Sequence, residues 1–347
     1  MSLGSTFENP VKQPTTELSR TDTVIESFAF DPQSIPSVCV VCCSTSDMPH
    51  DTIITVAKAM QSLAKVRMIL LSETGEEKSE EMEVITVPRG TKISKLRLLA
   101  NIESGLVCIC DPDLMIEPNA CREVLRVALA AASDGKEVVT FGVVEGHDNG
   151  TRLSRVIAMD KWLSHRILRR FLWWAHIGIS LPGQFFIISR SLLGGLHEVD
   201  SYLDDLYLGL IARQRGAWVF RVPVVVGQEE ARICWGSLLT QRIRWMKGLT
   251  ALMWGFSGQP SAVVLLVVHY LVFYGFPILV GLEIWLLTTT SPLAATSLFI
   301  GLAGVLAMLS RRTLLTACCY LAVFPCLLLT VSLLFWIPLN KSLLRRR

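Results

Sequence analysis

Leu106-Val107-Cys108-Ile109-Cys110-Asp111-Pro112-Asp113 is an unbroken apolar run that stops on two carboxylates separated by one proline. A short continuous apolar run ending in a turn signal reads as a strand buried on both faces, the habit of parallel sheets. Ser37–Cys43 and Val66–Leu71 have the same character, and Val84–Val87 is a shorter version. Between them, Thr52–Ala64 and Ile93–Ser104 space their apolar residues as helices do. Downstream the pattern continues: helix Asn119–Ala132, strand Glu137–Val144, strand Phe185–Ser189 opened by Pro182-Gly183-Gln184, helix from Asp204 towards Gly216, strand Trp218–Val226. This alternation predicts an α/β domain around a mostly parallel central sheet. Ligands of such sheets gather at the carboxyl ends of strands, so the loops after Cys43, Leu71 and Cys110 are where chemistry is expected.

The remainder of the chain is of another kind. Of 347 residues 51% are apolar, and mean hydropathy is +0.46, too high for a wholly soluble protein of this size. Residues 261–287, 293–309 and 313–339 hold most of the excess, and Glu283 is their only charge. Each is long enough to cross a bilayer at ~1.5 Å rise per residue, so an integral, multi-pass membrane protein is expected. Residues 1–35 are polar, carry both charges and four nearby prolines, and show no signal-peptide pattern. They read as a disordered tail, followed by an α/β domain at 36–250 facing the cytosol and a membrane domain at 251–347. The ten cysteines sit mostly in apolar runs without metal spacing and read as buried free thiols. Net charge is +3, and no nucleic-acid partner is expected. Arg311-Arg312 and Arg345–Arg347 cannot both face the cytosol if all three stretches cross, so one segment must bend or lie in the interface. Residues 161–178 (KWLSHRILRRFLWWAHIG) combine an apolar stripe of Leu163, Ile167, Phe171 and Trp174 with five basic or titratable groups. They read as a helix lying on the bilayer, or alternatively as a core helix.

Three constellations carry potential chemistry. Asp111 and Asp113 can both reach a divalent cation, with Pro112 setting the turn; hard cations such as Mg²⁺ or Mn²⁺ take such oxygens and share them with diphosphates. Asp and Pro are equally ordinary at a strand-end turn. Asp204-Asp205 opens a helix, where acids serve as caps, yet adjacent carboxylates also raise one another's pKa toward a base's working range. Gln241-Arg242-Ile243-Arg244-Trp245 precedes the apolar region, and Gln241, Arg244, Trp245 and Gly248 share one helical face. Such a face offers a guanidinium fork for phosphate, an indole for stacking and a glycine that admits a close neighbour. A basic helix lying on anionic headgroups has the same composition.

In this order, Asp-x-Asp at a strand end, Gly-Gln before a strand, an acidic pair opening a helix, Q-R-x-R-W and then membrane spans, the chain resembles the membrane-bound family 2 glycosyltransferases. These include the cellulose, chitin and hyaluronan synthases, and ceramide glucosyltransferase is similar. The resemblance covers about residues 36–250. It implies a GT-A fold and inverting transfer of a sugar from a nucleotide-diphosphate sugar, with UDP-sugars the expected donors. By resemblance Asp111 and Asp113 would hold Mg²⁺ or Mn²⁺ with the donor diphosphate, and Asp205 would be the catalytic base. Lys95 and Glu73 would lie on the nucleotide side. Gly183, Gln184, Asp204, Gln241, Arg242, Arg244 and Trp245 would line the acceptor and diphosphate side. The acceptor would be a growing polysaccharide or, as in a single-transfer glycolipid synthase, a membrane lipid; a catalytically weak scaffold is the alternative from another class. The loop Leu71-Ser72-Glu73-Thr74 departs from the family's acidic pair, and the first strand ends in Cys42-Cys43-Ser44-Thr45 rather than the usual pattern.

Overall fold

The computed structural model describes residues 37–44, 51–73, 81–196, 199, 201–230 and 234–334. The tail at 1–35, the loop after the first strand, most of the acidic loop after the second and the Arg345–Arg347 cluster lie outside the described residues.

Eight strands make one sheet: β1 (Ser37–Ser44), β2 (Lys65–Ser72), β3 (Glu83–Thr86), β4 (Leu106–Cys110), β5 (Leu114–Ile116), β6 (Val138–Gly146), β7 (Phe185–Ser189) and β8 (Trp218–Glu229). Their order is β3-β2-β1-β4-β7-β6-β8-β5. The β3, β2, β1 and β4 strands are mutually parallel, as are β6 and β8, whereas β7 and β5 run against their neighbours. The sheet is therefore mixed but mostly parallel. The apolar run read as a two-sided strand is buried at all five positions of β4. Alternate residues feed two cores: Val38, Val40 and Cys42 face one layer, while Cys39, Val41 and Cys43 face the other. Helices α1 (Asp51–Met60) and α3 (Pro118–Ser133) fill the first layer. Helix α7 (Asp204–Gln214) covers the second, ending at Gly216 with φ +67° as the sequence implied.

Several elements differ from the expectation. The helix expected over Ile93–Ser104 is a short α2 (Lys92–Leu96) followed by a 3-10 turn. The basic helix expected to begin at 161 begins at Arg152: α4 (Arg152–Trp162) runs through a π-helical turn, Leu163–Leu168, into α5 (Arg169–Trp174). Ile167, Phe171 and Trp174 are exposed along it, but its charged side is not solvated throughout: His165 is buried and Arg169 nearly so. The helix therefore combines both readings: its aromatic side is exposed, while Lys161, His165 and Arg169 turn into the domain. After the four-residue α6 (Arg190–Leu193) and α7, helix α8 (Trp235–Gly255) carries Gln241–Trp245 and continues past residue 250.

Three helical segments that follow are long and apolar enough to cross a membrane: Pro260–Thr290, Pro292–Ser310 and Leu314–Leu333. The first is α9 (Pro260–Tyr270), a π turn Leu271–Gly275 and α10 (Phe276–Thr290); the others are α11 (Pro292–Ser310) and α12 (Leu314–Leu334). They are not equivalent. Along its most apolar stretch 39% of α12 lies inside the structure, against 11% for each of the other two. Its Ala317, Tyr320, Phe324 and Leu328 pack on Val156 and Met159 of α4 and on Ile243 and Met246 of α8. Arg312, in the connection before it, lies 3.9 Å from Asp148 of the α/β domain. The third apolar helix is thus anchored on the domain that carries the acidic residues.

Gly209 shows how tightly α7 is seated: a Cβ there would fall 1.9 Å from the carbonyl oxygen of Ile179. Backbone cannot yield as a side chain can, so Gly209→Ala should shift α7, with the acidic pair at its start. We expect a loss of about 3 kcal/mol in chemical denaturation, the cost of overpacking a core site.

Candidate active site

The carboxyl end of β4 leads directly into Asp111, whose N–H donates to the Gln184 carbonyl at 2.8 Å. The turn preceding β7 is thereby fixed beside the end of β4. Gly183 in that turn abuts Asp205, since a Cβ on it would lie 3.4 Å from the Asp205 Cβ. One ammonium then joins the three segments. Lys92 Nζ donates to Asp111 Oδ1 at 2.8 Å and to the Gly183 carbonyl at 2.7 Å, and lies 3.1 Å from Asp204 Oδ2. Its side chain is 7% exposed, so these contacts form away from bulk water and are weakly screened.

Asp205, one residue into α7, accepts from the Leu206 N–H at 2.9 Å, and Arg169 approaches its Oδ2 at 3.8 Å. Burial pushes the Asp205 carboxyl up to about 6, and neighbouring Asp204 adds to the rise; Arg169, the Leu206 N–H and Lys92 pull the other way. Arg169 is positioned by donating to Ser180 Oγ at 2.9 Å and to His165 Nε2 at 2.6 Å. Burial, reinforced by Arg169, holds His165 well below the usual imidazole range, so it stays neutral and can accept.

One cavity is lined by the carboxylates together with Arg169, His165 and Ser180. Its wall includes Asp111, Asp113, Gly183, Gln184, Asp204, Asp205, Gln241, Arg242, Arg244 and Trp245, residues up to 134 positions apart in the chain (from 111 to 245). Lys95 and Glu73 are not among them; they pair with each other at 2.9 Å. Glu229, at the end of β8, also faces the cavity, bound by Lys161 and by Gln184 Nε2 at 2.6 Å. Arg242 lines the cavity, but its charge is matched by Asp160 and its Cζ lies over the Trp245 ring, 4.4 Å from the centroid. One indole face is therefore already covered. Gly248 admits a close neighbour, though not a ligand: Ser201 and Leu203, in the loop before the acidic pair, stand where its Cβ would be, and Ser201 Oγ donates to its carbonyl at 3.0 Å.

Lys92, Arg169, Asp160 and Glu229 were not legible as site residues. One signal existed for Lys92: a lysine in the first turn of a helix opposes the helix dipole unless carboxylates face it. Arg169 had none, because a cation on an amphipathic basic helix looks like any other.

Asp111 and Asp113 supply hard oxygens suited to Mg²⁺ or Mn²⁺. Among the described residues no cluster of three or more His, Cys, Asp or Glu side chains could hold a metal ion. A two-carboxylate site suits a cation that keeps water and takes its remaining oxygens from a substrate diphosphate.

Against solved structures, the chain is similar to the mannosyltransferase PcManGT from Pyrobaculum calidifontis, solved with GDP-Man and Mn²⁺. Identity is 14%, with 92% of this chain and 93% of that one covered and a TM-score of 0.53. The chain has the GT-A fold. Glucosyl-3-phosphoglycerate synthase from Mycobacterium tuberculosis, solved with Mn²⁺, UDP-Glc and phosphoglyceric acid, aligns more loosely, at 18% identity over 70% of this chain and 84% of that one with a TM-score of 0.45. No protein-family model and no curated protein matches the sequence.

Two measurements follow from this geometry. Removing the Lys92 ammonium leaves Asp111 and Asp204 buried without their shared partner, so Lys92→Met should cost about 3–5 kcal/mol of unfolding free energy. Asp205 has a folded pKa above its unfolded value, so its ionised form costs stability once the pH exceeds the unfolded value near 3.8 and fully so above about 6. Asp205→Asn should therefore raise the melting temperature relative to wild type at pH 8, with the difference fading as the pH falls below 4.

Proposed function

We propose that this chain is a membrane-bound glycosyltransferase that moves a sugar, with inversion, from a nucleotide-diphosphate sugar to the hydroxyl of a glycan or lipid-linked acceptor. The observation that carries this reading is the meeting of Asp111 and Asp113 with Asp205, Arg244 and Trp245 around one cavity of a GT-A fold. GDP-Man and Mn²⁺ bound to the mannosyltransferase of similar fold support a nucleotide-sugar donor and a divalent cation here.

In this reading Asp111 and Asp113 hold Mg²⁺ or Mn²⁺, which when bound would neutralise charge on the leaving diphosphate. Arg244, reaching the same cavity from α8, adds a fixed cation on the leaving-group side. Asp205 accepts the acceptor's proton. Its carboxyl at about 6 is ionised at neutral pH yet a stronger base than an exposed aspartate. Arg169 keeps that pKa from rising further, and Asp204, fixed by Lys92, positions the start of α7. Lys95 and Glu73 lie outside the cavity wall but flank the carboxyl end of β2, where the nucleotide of a donor would reach; their donor role is part of the proposal. The domain from 36 to about 250 would be the catalytic unit on the cytosolic face and the apolar helices its anchor.

Membranes containing the full chain, supplied with Mn²⁺ and labelled UDP- and GDP-sugars, should transfer sugar or hydrolyse the donor. Asp205→Asn should lower kcat by about 10²–10⁴-fold while leaving donor affinity nearly unchanged. In the wild type, kcat/KM should fall on the acid side with an apparent pKa near about 6. No turnover with any donor, or full activity in the Asp205→Asn variant, would refute the assignment.

A further inference from the structure

His269, on α9, stands apart from the charge network of the cavity wall. There Lys161 is matched by Glu229, Arg169 by Asp205 and Arg242 by Asp160. Among the described residues, five on the wall keep a buried side-chain atom without a hydrogen-bond partner: Gln184, Asp204, Arg242, Arg244 and His269. The first four are held through other contacts. His269 is not: neither ring nitrogen hydrogen-bonds to a described residue, and Nδ1 is buried. With no carboxylate paired to it the ring is the neutral imidazole, offering one N–H and one acceptor nitrogen. A buried polar group left unpaired costs stability. Within a segment apolar enough to cross a membrane, an ionisable side chain that faces the interior is a mark of function. Two contacts place the ring. Phe273, one turn further along, stacks on it with 4.4 Å between centroids and 29° between planes, which fixes the direction of its edge. Arg169, 3.8 Å from Asp205 Oδ2, is near enough for its charge to act on the ring. The imidazole thus stands on the Asp205 side of the cavity.

We propose that His269 is a specificity-determining residue for the acceptor: its ring hydrogen-bonds a polar group next to the reacting hydroxyl and so holds that hydroxyl towards Asp205. This rests on the transferase reading and deepens it. The site then selects acceptors that carry a second hydrogen-bonding group beside the reacting one, because an acceptor without it leaves the imidazole unpaired. A neutral imidazole suits this task. It adds no charge to a wall whose cations and carboxylates are already balanced against each other, and it can donate at one nitrogen or accept at the other. The stack on Phe273 holds the ring in one orientation before the acceptor arrives, so little freedom is lost on binding.

The test uses membranes containing the full chain, with Mn²⁺ and labelled UDP-glucose or GDP-mannose. Two products are read: label transferred to the acceptors present in the membranes, and free labelled sugar released by hydrolysis of the donor. His269→Phe keeps the ring stack but removes both nitrogens. It should lower the ratio of transferred to hydrolysed sugar by about tenfold, the effect of one lost hydrogen bond, while the donor KM moves by less than about twofold. Because the substitution removes an unpaired buried group, the melting temperature of the purified chain without substrates should hold or rise. His269→Asn, whose amide restores a polar group near the Nδ1 position, should recover part of the ratio. A wild-type ratio in His269→Phe, or no recovery in His269→Asn, would overturn the assignment. So would a lower melting temperature in His269→Phe together with a weakened donor, the signature of a purely structural histidine. Failure of the wild type to transfer sugar from either nucleotide would instead remove the transferase reading, and this role of His269 with it.

Discussion

The Lys92 ammonium is the contact on which the site's geometry depends. It reaches the end of β4, the turn before β7 and the first residue of α7, segments that the chain brings together from 91 residues apart (92 to 183) and 112 residues apart (92 to 204). An ammonium has three donors; here it donates to two oxygens and has a further carboxylate oxygen at 3.1 Å, and these contacts offset its desolvation. Two of those oxygens belong to carboxylates that would otherwise repel each other.

Electrostatic balance around Asp205 follows from the same packing. Burial and Asp204 make its proton harder to lose, and Arg169 limits the effect. Arg169 can do so only because the π turn in the 152–174 helix rotates it inward, towards Ser180 and His165, while Phe171 and Trp174 remain on the outer face. One helix therefore has two sides: an exposed one that carries Phe171 and Trp174, and an inner one whose Arg169 faces the acidic cluster. The apolar helices are joined to this arrangement through α12. The half-buried Arg242–Asp160 pair, with Phe324 over the guanidinium, seats that helix against both α4 and α8. Apolar helices connected in this way form part of the cavity wall rather than a tether beside it.

Much of this organisation was legible in the residues. The five apolar positions of β4 ending at Asp111, the acidic start of α7 and the apolar stretches after 260 each express a local rule: strand burial, helix-dipole preference, hydrocarbon length. Local rules are read from neighbours in sequence. They were misleading where a neighbour in space replaced the expected partner. Gly248 looked like space for a ligand and instead admits the Ser201–Leu203 loop, and Trp245 looked like an open platform although Arg242 covers one of its faces.

The sequence by itself determined the class of the fold, the presence of three hydrocarbon-length helices and the identity of most carboxylates at the site, because hydrophobic periodicity and turn chemistry act over a few residues. Only the tertiary structure decided that Lys92 rather than Lys95 faces Asp111, that Arg169 turns inward, and that the third apolar helix docks on the domain. Each of those depends on which charges and faces meet across the packed core. Coulomb attraction between buried groups depends on distance in space, and distance along the chain carries no record of it.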